Sequence, residues 1–232
     1  MFRDRTEAGR RLAAEICTLA PRDPVVLALP RGGVPVAFEV AAALDCRLDL
    51  VIVRKVGAPG NPELAVAAIV DGNPPEVVLN REIIEAYGLQ EDELAGLIAG
   101  ERPELERRRA TYRGTRPPVS VTGKTVILVD DGAATGTTMK VAARALRRRS
   151  PAQIIIALPV AAPDAVADLW HEADHVLCLE QPTHFRALGY HYREFHQLED
   201  REVLDLMARA AREHRRGRQA KHCGPGEASG TA

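Results

Sequence analysis

Two adjacent acids, Asp130 and Asp131, follow the apolar run 126–129 and open the segment Gly132-Ala133-Ala134-Thr135-Gly136-Thr137-Thr138. Side by side at a strand end, two carboxylates repel each other. They make chemical sense as acceptors for a pair of neighbouring hydroxyls, such as the 2′ and 3′ hydroxyls of a ribose. A nearby Mg²⁺ would relieve their repulsion further. The small residues that follow let backbone approach an anion. A helix then starts, and its first turn offers N–H groups and the positive end of the helix dipole. Thr135, Thr137 and Thr138 add hydroxyl donors. One continuous segment can therefore hold a ribose at its start and a 5′-phosphate at its end. The plain alternative is an ordinary strand–turn–helix corner. A Walker loop is excluded because Gly136 is followed by Thr137 where Lys is needed, and a GxGxxG fingerprint because only Gly132 and Gly136 are present.

Three other places carry candidate chemistry. Arg31-Gly32 follows the apolar run 25–29, where an Arg beside two glycines suits a pyrophosphate clamp or a tight turn with a solvated Arg. Arg54 and Lys55 open a basic stretch, 54–63, rich in Gly and Pro, which reads as a solvated loop. Phe185, Tyr190, Tyr192 and Phe195 crowd into 184–196. They suit stacking on a planar base, and equally a seal on the edge of the core or an oligomer contact. His171 and His175 are four apart on an expected helix end, a zinc-compatible spacing, but no third ligand accompanies them. The triplets 107–109 and 147–149 are read as solvated arginines, and Arg215, Arg216 and Arg218 as at most a weak anion contact in the tail.

Elements of alternating type must position these residues. Helices are predicted at 5–20, 34–44, 137–149, 163–171 and 199–214. Strands are predicted at 25–29, 48–53, 125–129, 154–159 and 176–179. The runs 64–70 and 76–79 form a hairpin about Asp-Gly-Asn-Pro-Pro, and 81–113 is helical and heavily charged. Short continuous apolar strands alternating with helices predict an α/β fold with a mostly parallel sheet, and its ligands sit at the carboxyl ends of the strands.

The 232 residues fit one domain, with 46% hydrophobic residues for its core. Net charge is −1 and aromatics are 4%, so nothing recruits nucleic acid or an acidic membrane. No apolar run reaches membrane-spanning length, and the charged N-terminus is no signal peptide, so the expected compartment is the cytoplasm. Cys17, Cys46, Cys178 and Cys223 are scattered; the first three, in or beside apolar runs, are expected as reduced small core residues.

The segment VILVDDGAATGTT at 126–138 resembles the PRPP (5-phosphoribosyl-1-pyrophosphate) signature of type I phosphoribosyltransferases. The likeness extends to LPRGGVPVA at 29–37, VRKVGAPGNPELAVAAI at 53–69 and FRALGYHYREF at 185–195, and resembles a bacterial group described as predicted phosphoribosyltransferases. It implies a Rossmann-like, mostly parallel twisted sheet flanked by helices over 1–215. A helical insertion is expected at about 81–117, a small C-terminal hood at about 181–197, and a disordered tail at 216–232. It implies transfer of a phosphoribosyl group from PRPP with Mg²⁺ to a nitrogen acceptor of nucleobase kind, with homodimerisation as a candidate assembly. By resemblance, Asp130 and Asp131 bind the ribose. Gly132, Ala133, Ala134, Thr135, Gly136, Thr137 and Thr138 wrap the 5′-phosphate. Arg31 and Gly32 meet the pyrophosphate, and Arg54 and Lys55 belong to the closing loop, with Lys55 on the leaving pyrophosphate. No protein metal ligand is named beyond Asp130 and Asp131, and Mg²⁺ is expected to arrive with PRPP. Hypoxanthine-guanine types carry an Asp where this chain has Ala134, so the resemblance assigns no general base. A non-catalytic PRPP or nucleotide sensor is the alternative.

Overall fold

The structure is a computed structural model that describes residues 1–222 apart from Asn73. Along the chain run α1 (Arg5–Thr18), β1 (Pro24–Ala28), α2 (Gly33–Ala43), β2 (Arg47–Leu50), β3 (Val53–Ala58), β4 (Asn61–Val70), β5 (Glu76–Leu79), α3 (Arg81–Ala86) and α4 (Glu91–Tyr112). After them come β6 (Thr125–Val129), α5 (Thr137–Arg147), β7 (Gln153–Val160), α6 (Pro163–Leu169), β8 (His175–Glu180) and α7 (Asp200–His222).

The central sheet is parallel, in the order β2-β1-β6-β7-β8. Helices cover both faces, so β1, β6 and β7 read as continuous apolar runs; every residue of β6 is buried. One core layer joins α1 and α2 to one face through Leu12, Ile16, Val36, Val40 and Ile127. The other packs Met139, Ala142 and Leu146 of α5 against Val126, Leu128 and Ile154. Chain order reverses between β1 and β6, since β2 lies beyond β1 and β7 beyond β6. In such sheets the crevice at the reversal point is where ligands sit. The turns that leave β1 and β6 are 29–32 and 130–136, the two segments singled out by their chemistry.

The sequence predicts one strand over 48–53 and a loop over 54–63. The chain instead stays in the parallel sheet only through β2, and crosses at Val51-Ile52 into a separate antiparallel sheet β3-β4-β5. Arg54 and Lys55 are therefore strand residues, paired with Ile69 and Ala68. Polar composition suggested a loop, but cross-strand pairing with the apolar β4 overrides it. The expected β4–β5 hairpin is present.

The helical insertion is two helices, α3 and α4, with α4 packed on β3 and β4. Its exit is pinned by the buried Arg113. That guanidinium bonds Asp71 (3.0 Å), Asp49 (2.8 Å) and the carbonyl of Leu50 (2.8 Å). Helix α7 runs through residue 216, where the sequence predicts a disordered tail; the Arg, Gln, Ala and Lys residues there are strong helix formers. The tail prediction for 223–232, with Cys223, lies outside the described residues. Cys17, expected in the core, is exposed on α1, while Cys46 is buried. Burial pushes the Cys46 thiol up to about 12. His171 and His175 do not share a helix: α6 ends at Leu169 and His175 opens β8. None of the helices among the described residues is long and apolar enough to cross a membrane.

Candidate functional site

The acids sit at the carboxyl end of β6, on the crevice side. Asp131 is buried, 6% exposed, and Asp130 is partly buried. The amide of Asp131 donates to Asp130 Oδ1 (2.9 Å). Burial, and then the repulsion of Asp131, hold the Asp130 carboxyl well above the usual carboxylate range, while the Asp131 amide and Arg5 pull the other way.

The turn after β1 closes on this pair. Leu29 donates to the carbonyl of Val129 (3.0 Å), which locks the two strand ends together. Gly32 lies flat against the Asp131 carboxylate: a Cβ there would sit 2.2 Å from Oδ2. Arg31, at the rim, is largely exposed and reaches to 3.5 Å from Asp200 at the start of α7. The hydroxyl of Tyr112 donates to the same Asp200 carboxylate.

Beyond Asp131 the chain bends through Gly132, at φ 157°, where a Cβ would meet Leu188 Cδ1 at 2.2 Å and the carbonyl of Val160 at 2.7 Å. Ala133 then bridges to β7, donating to Val160 and accepting from Ala162. Ala134 and Thr135 are exposed. The Thr135 and Thr137 hydroxyls lie 3.1 Å apart. Gly136 takes a left-handed conformation at φ 67° and caps α5, which begins at Thr137. The first-turn N–H groups of α5 have no intrahelical acceptor and face the exposed loop, the geometry of an anion cradle.

Two residues meet the acids through partners that the sequence did not give. Arg5, the first residue of α1, is buried, and its Nε is 2.7 Å from Asp131 Oδ2. Its Nη1 donates to the carbonyl of His196 (3.0 Å), and its guanidinium carbon lies 3.9 Å from the Phe195 ring centroid. Tyr192 donates its hydroxyl to the carbonyl of Asp131 (2.6 Å) and is 4% exposed. Its burial raises the phenol above its ordinary value. No local pattern marks Arg5, because its partner is 126 positions away.

The segment 185–198 settles over the acids. Tyr192 stacks on Phe195 (5.1 Å) and packs with Phe2, whose backbone pairs with the segment. Phe185 stacks on His191 (5.1 Å), and Tyr190 is 67% exposed. Of the two sequence readings, Tyr192 takes the sealing one. Leu188 and Phe195 instead line a cavity of about 440 Å³ with Arg5, Arg31, Gly32, Asp130 and Asp131. The exposed His196 and Gln197 also line it.

Arg31, Gly32, Asp130 and Asp131 are thus brought together, with the Gly132–Thr138 loop continuing from them. Arg54 and Lys55 do not line that cavity. Arg54 is held by Glu101 of α4 (2.5 Å), and Lys55 is exposed. Both ride on the β3–β4 hairpin, which packs against α4 and also touches α5.

A family model described as a phosphoribosyl transferase domain matches residues 3–194. Two Mycobacterium tuberculosis proteins, from strains CDC 1551 / Oshkosh and ATCC 25618 / H37Rv and provisionally named phosphoribosyl transferases, are each 41% identical over 213 residues. The alignments cover 92% of this chain and 48% of each relative, so the chain spans about half the length of the curated relatives it matches. The crystal structure of Thermus thermophilus TT1426 is similar over 90% of this chain and 98% of that one, with a TM-score of 0.81 and 42% identity.

Proposed function

This chain belongs to the family of phosphoribosyl transferase domains, and on that premise we propose that it binds PRPP with Mg²⁺ and transfers the 5-phosphoribosyl group to a nitrogen acceptor. The acceptor is a nucleobase or a similar heterocycle, and pyrophosphate is released. The observation that carries this reading is the meeting, in one cavity, of Asp130 and Asp131 with the Arg31-Gly32 turn, directly ahead of the α5 N-terminus.

In this reading the two carboxylates accept from the ribose hydroxyls, and the loop Ala133–Thr138 takes the 5′-phosphate on backbone N–H and threonine hydroxyls. Arg31 lines the same cavity and would meet the pyrophosphate. The acceptor nitrogen donates its lone pair to C1′ as the C1′–O bond to pyrophosphate breaks. The bonding pair leaves with pyrophosphate, and the acceptor N–H proton goes to solvent. Positive charge that develops on the ribose is stabilised by the neighbouring carboxylates. Lys55, carried on its hairpin, closes toward the leaving pyrophosphate and helps to exclude water.

The donor set fits a divalent cation: two repelling carboxylates at a partly buried site suit a hard cation, and two are too few to hold one alone, so Asp130 and Asp131 would share Mg²⁺ with oxygens of PRPP. When bound, the cation neutralises charge on the pyrophosphate. Leu188 and Phe195 offer the apolar wall for a planar acceptor, with Gln197 as a polar edge.

Pyrophosphate release from PRPP with Mg²⁺, measured against a panel of purine and pyrimidine bases, tests the proposal. Turnover with one base supports it. Tight PRPP binding without turnover on any base would make the protein a PRPP-binding regulator. Absence of PRPP binding would remove both readings.

A further inference from the structure

Arg5 spends its planar fork on three partners: Asp131 Oδ2 through Nε, the His196 carbonyl through Nη1, and the Phe195 ring through its face. The Arg5 and Asp131 side chains are each only 9% exposed. An isolated buried carboxylate beside a second one would be costly in its ionised form. The guanidinium offsets that cost and fixes one oxygen of a carboxylate whose residue lines the cavity. The same guanidinium ties 195–196 to the acid. The segment over the cavity is therefore held down by the group that orients the acid beneath it. Lysine would carry the charge but could not bond a carboxylate and a carbonyl in one plane while stacking on a ring.

We propose that Arg5 is a positioning residue for sugar recognition: by holding Oδ2 it turns the Asp131 carboxylate so that its other oxygen meets one ribose hydroxyl. This rests on the ribose reading of the acid pair given above. A merely structural clamp would also lower stability when removed, so stability alone does not separate the two. Discrimination between sugars does, because a general loosening weakens every ligand alike.

The experiment measures dissociation constants of ribose 5-phosphate, 2-deoxyribose 5-phosphate and 3-deoxyribose 5-phosphate, by calorimetry with Mg²⁺, for the full chain and for Arg5→Met and Arg5→Lys. The wild-type protein is expected to prefer ribose 5-phosphate over at least one deoxy sugar by ~10-fold or more, the worth of a hydrogen bond to a charged group. In Arg5→Met that ratio collapses toward one, and in Arg5→Lys it recovers in part. Thermal unfolding reports whether each variant is folded. If Arg5→Met does not fold, Arg5→Lys decides, with a ratio expected to fall by ~3-fold or more for lack of the planar fork. A folded variant that keeps the wild-type ratios for both deoxy sugars would overturn the proposal while leaving the ribose reading intact. A wild-type protein with no preference for either hydroxyl would overturn the ribose reading itself, and this inference with it.

Discussion

Gly32 touches Asp131 so closely that the α-hydrogen is the only substituent that fits: a Cβ would lie 2.2 Å from Oδ2 and 2.5 Å from Cγ. The backbone at Gly32 is ordinary, at φ −59°, so the demand is for space and not for an unusual dihedral. Gly32→Ala should displace the carboxylate or the turn, with an overpacking cost of about 1–3 kcal/mol. PRPP affinity should fall at least ~10-fold, more than the change in stability alone accounts for. Calorimetric titration of PRPP beside a thermal melt checks this; an unchanged affinity would mean that the turn does not shape the donor site.

The two acids should respond differently to amidation. Asp131→Asn leaves the buried Arg5 without its counterion, a loss of about 3–5 kcal/mol. Asp130→Asn removes a carboxylate that burial and Asp131 already disfavour, and should not destabilise the fold. Both should weaken PRPP binding. Urea unfolding of the two variants gives the contrast, and equal destabilisation would contradict the pairing described here.

The Asp130 shift also sets a pH dependence. Its folded-state pKa is raised above the ordinary 3.8, so the native state holds the proton more tightly than the unfolded chain. The contribution is fully present below 3.8 and is lost as pH rises through the elevated folded value. Metal-free wild-type protein should therefore lose stability, relative to Asp130→Asn, as pH climbs above about 4 toward neutrality. Unfolding free energies at a series of pH values test the sign; parallel curves would show that Asp130 is not raised.

Tyr192→Phe removes the hydroxyl that donates to the carbonyl of Asp131 and keeps the ring stacked on Phe195. A buried carbonyl left unpaired costs about 1–3 kcal/mol. The melting temperature should drop by several degrees for a domain of this size. A smaller loss would indicate that water replaces the hydroxyl.

Lys55 is exposed and away from the acid pair. Lys55→Ala should leave stability within about 0.5 kcal/mol of wild type. If the hairpin closes on the donor, turnover should fall by ~10-fold or more with little change in ground-state PRPP affinity. Steady-state kinetics beside PRPP titration separate these outcomes.

The parts that could be read from sequence are those with local signals. The buried strands β1, β6 and β7 are uninterrupted apolar runs, and the Asp130–Thr138 loop carries its chemistry in consecutive residues. What escaped was set by distant partners. Arg54 and Lys55 look like loop residues until β4 pairs with them. Arg31 looks free until Asp200 arrives at the head of α7. Arg5 looks like any surface arginine of an amphipathic helix, and only the fold delivers Asp131, His196 and Phe195 to it. Tyr192 was read with its aromatic neighbours, but its hydroxyl turned out to matter through the Asp131 carbonyl.

The backbone pairing of Phe2 with 191–193, together with the side-chain bonds of Arg5 to Asp131 and His196, has a temporal side. During synthesis, residues 2–5 leave the ribosome long before their partners exist. A nascent chain of 140 residues already holds both acids and the phosphate loop, yet nothing secures the start of the chain over them. Only when residue 196 clears the exit tunnel can the two ends be stitched together, the kind of non-local closure that comes late in folding. Arrested chains that end before and after that point would differ in protease resistance at the N-terminus, so the completed site doubles as a marker that translation of the domain has finished.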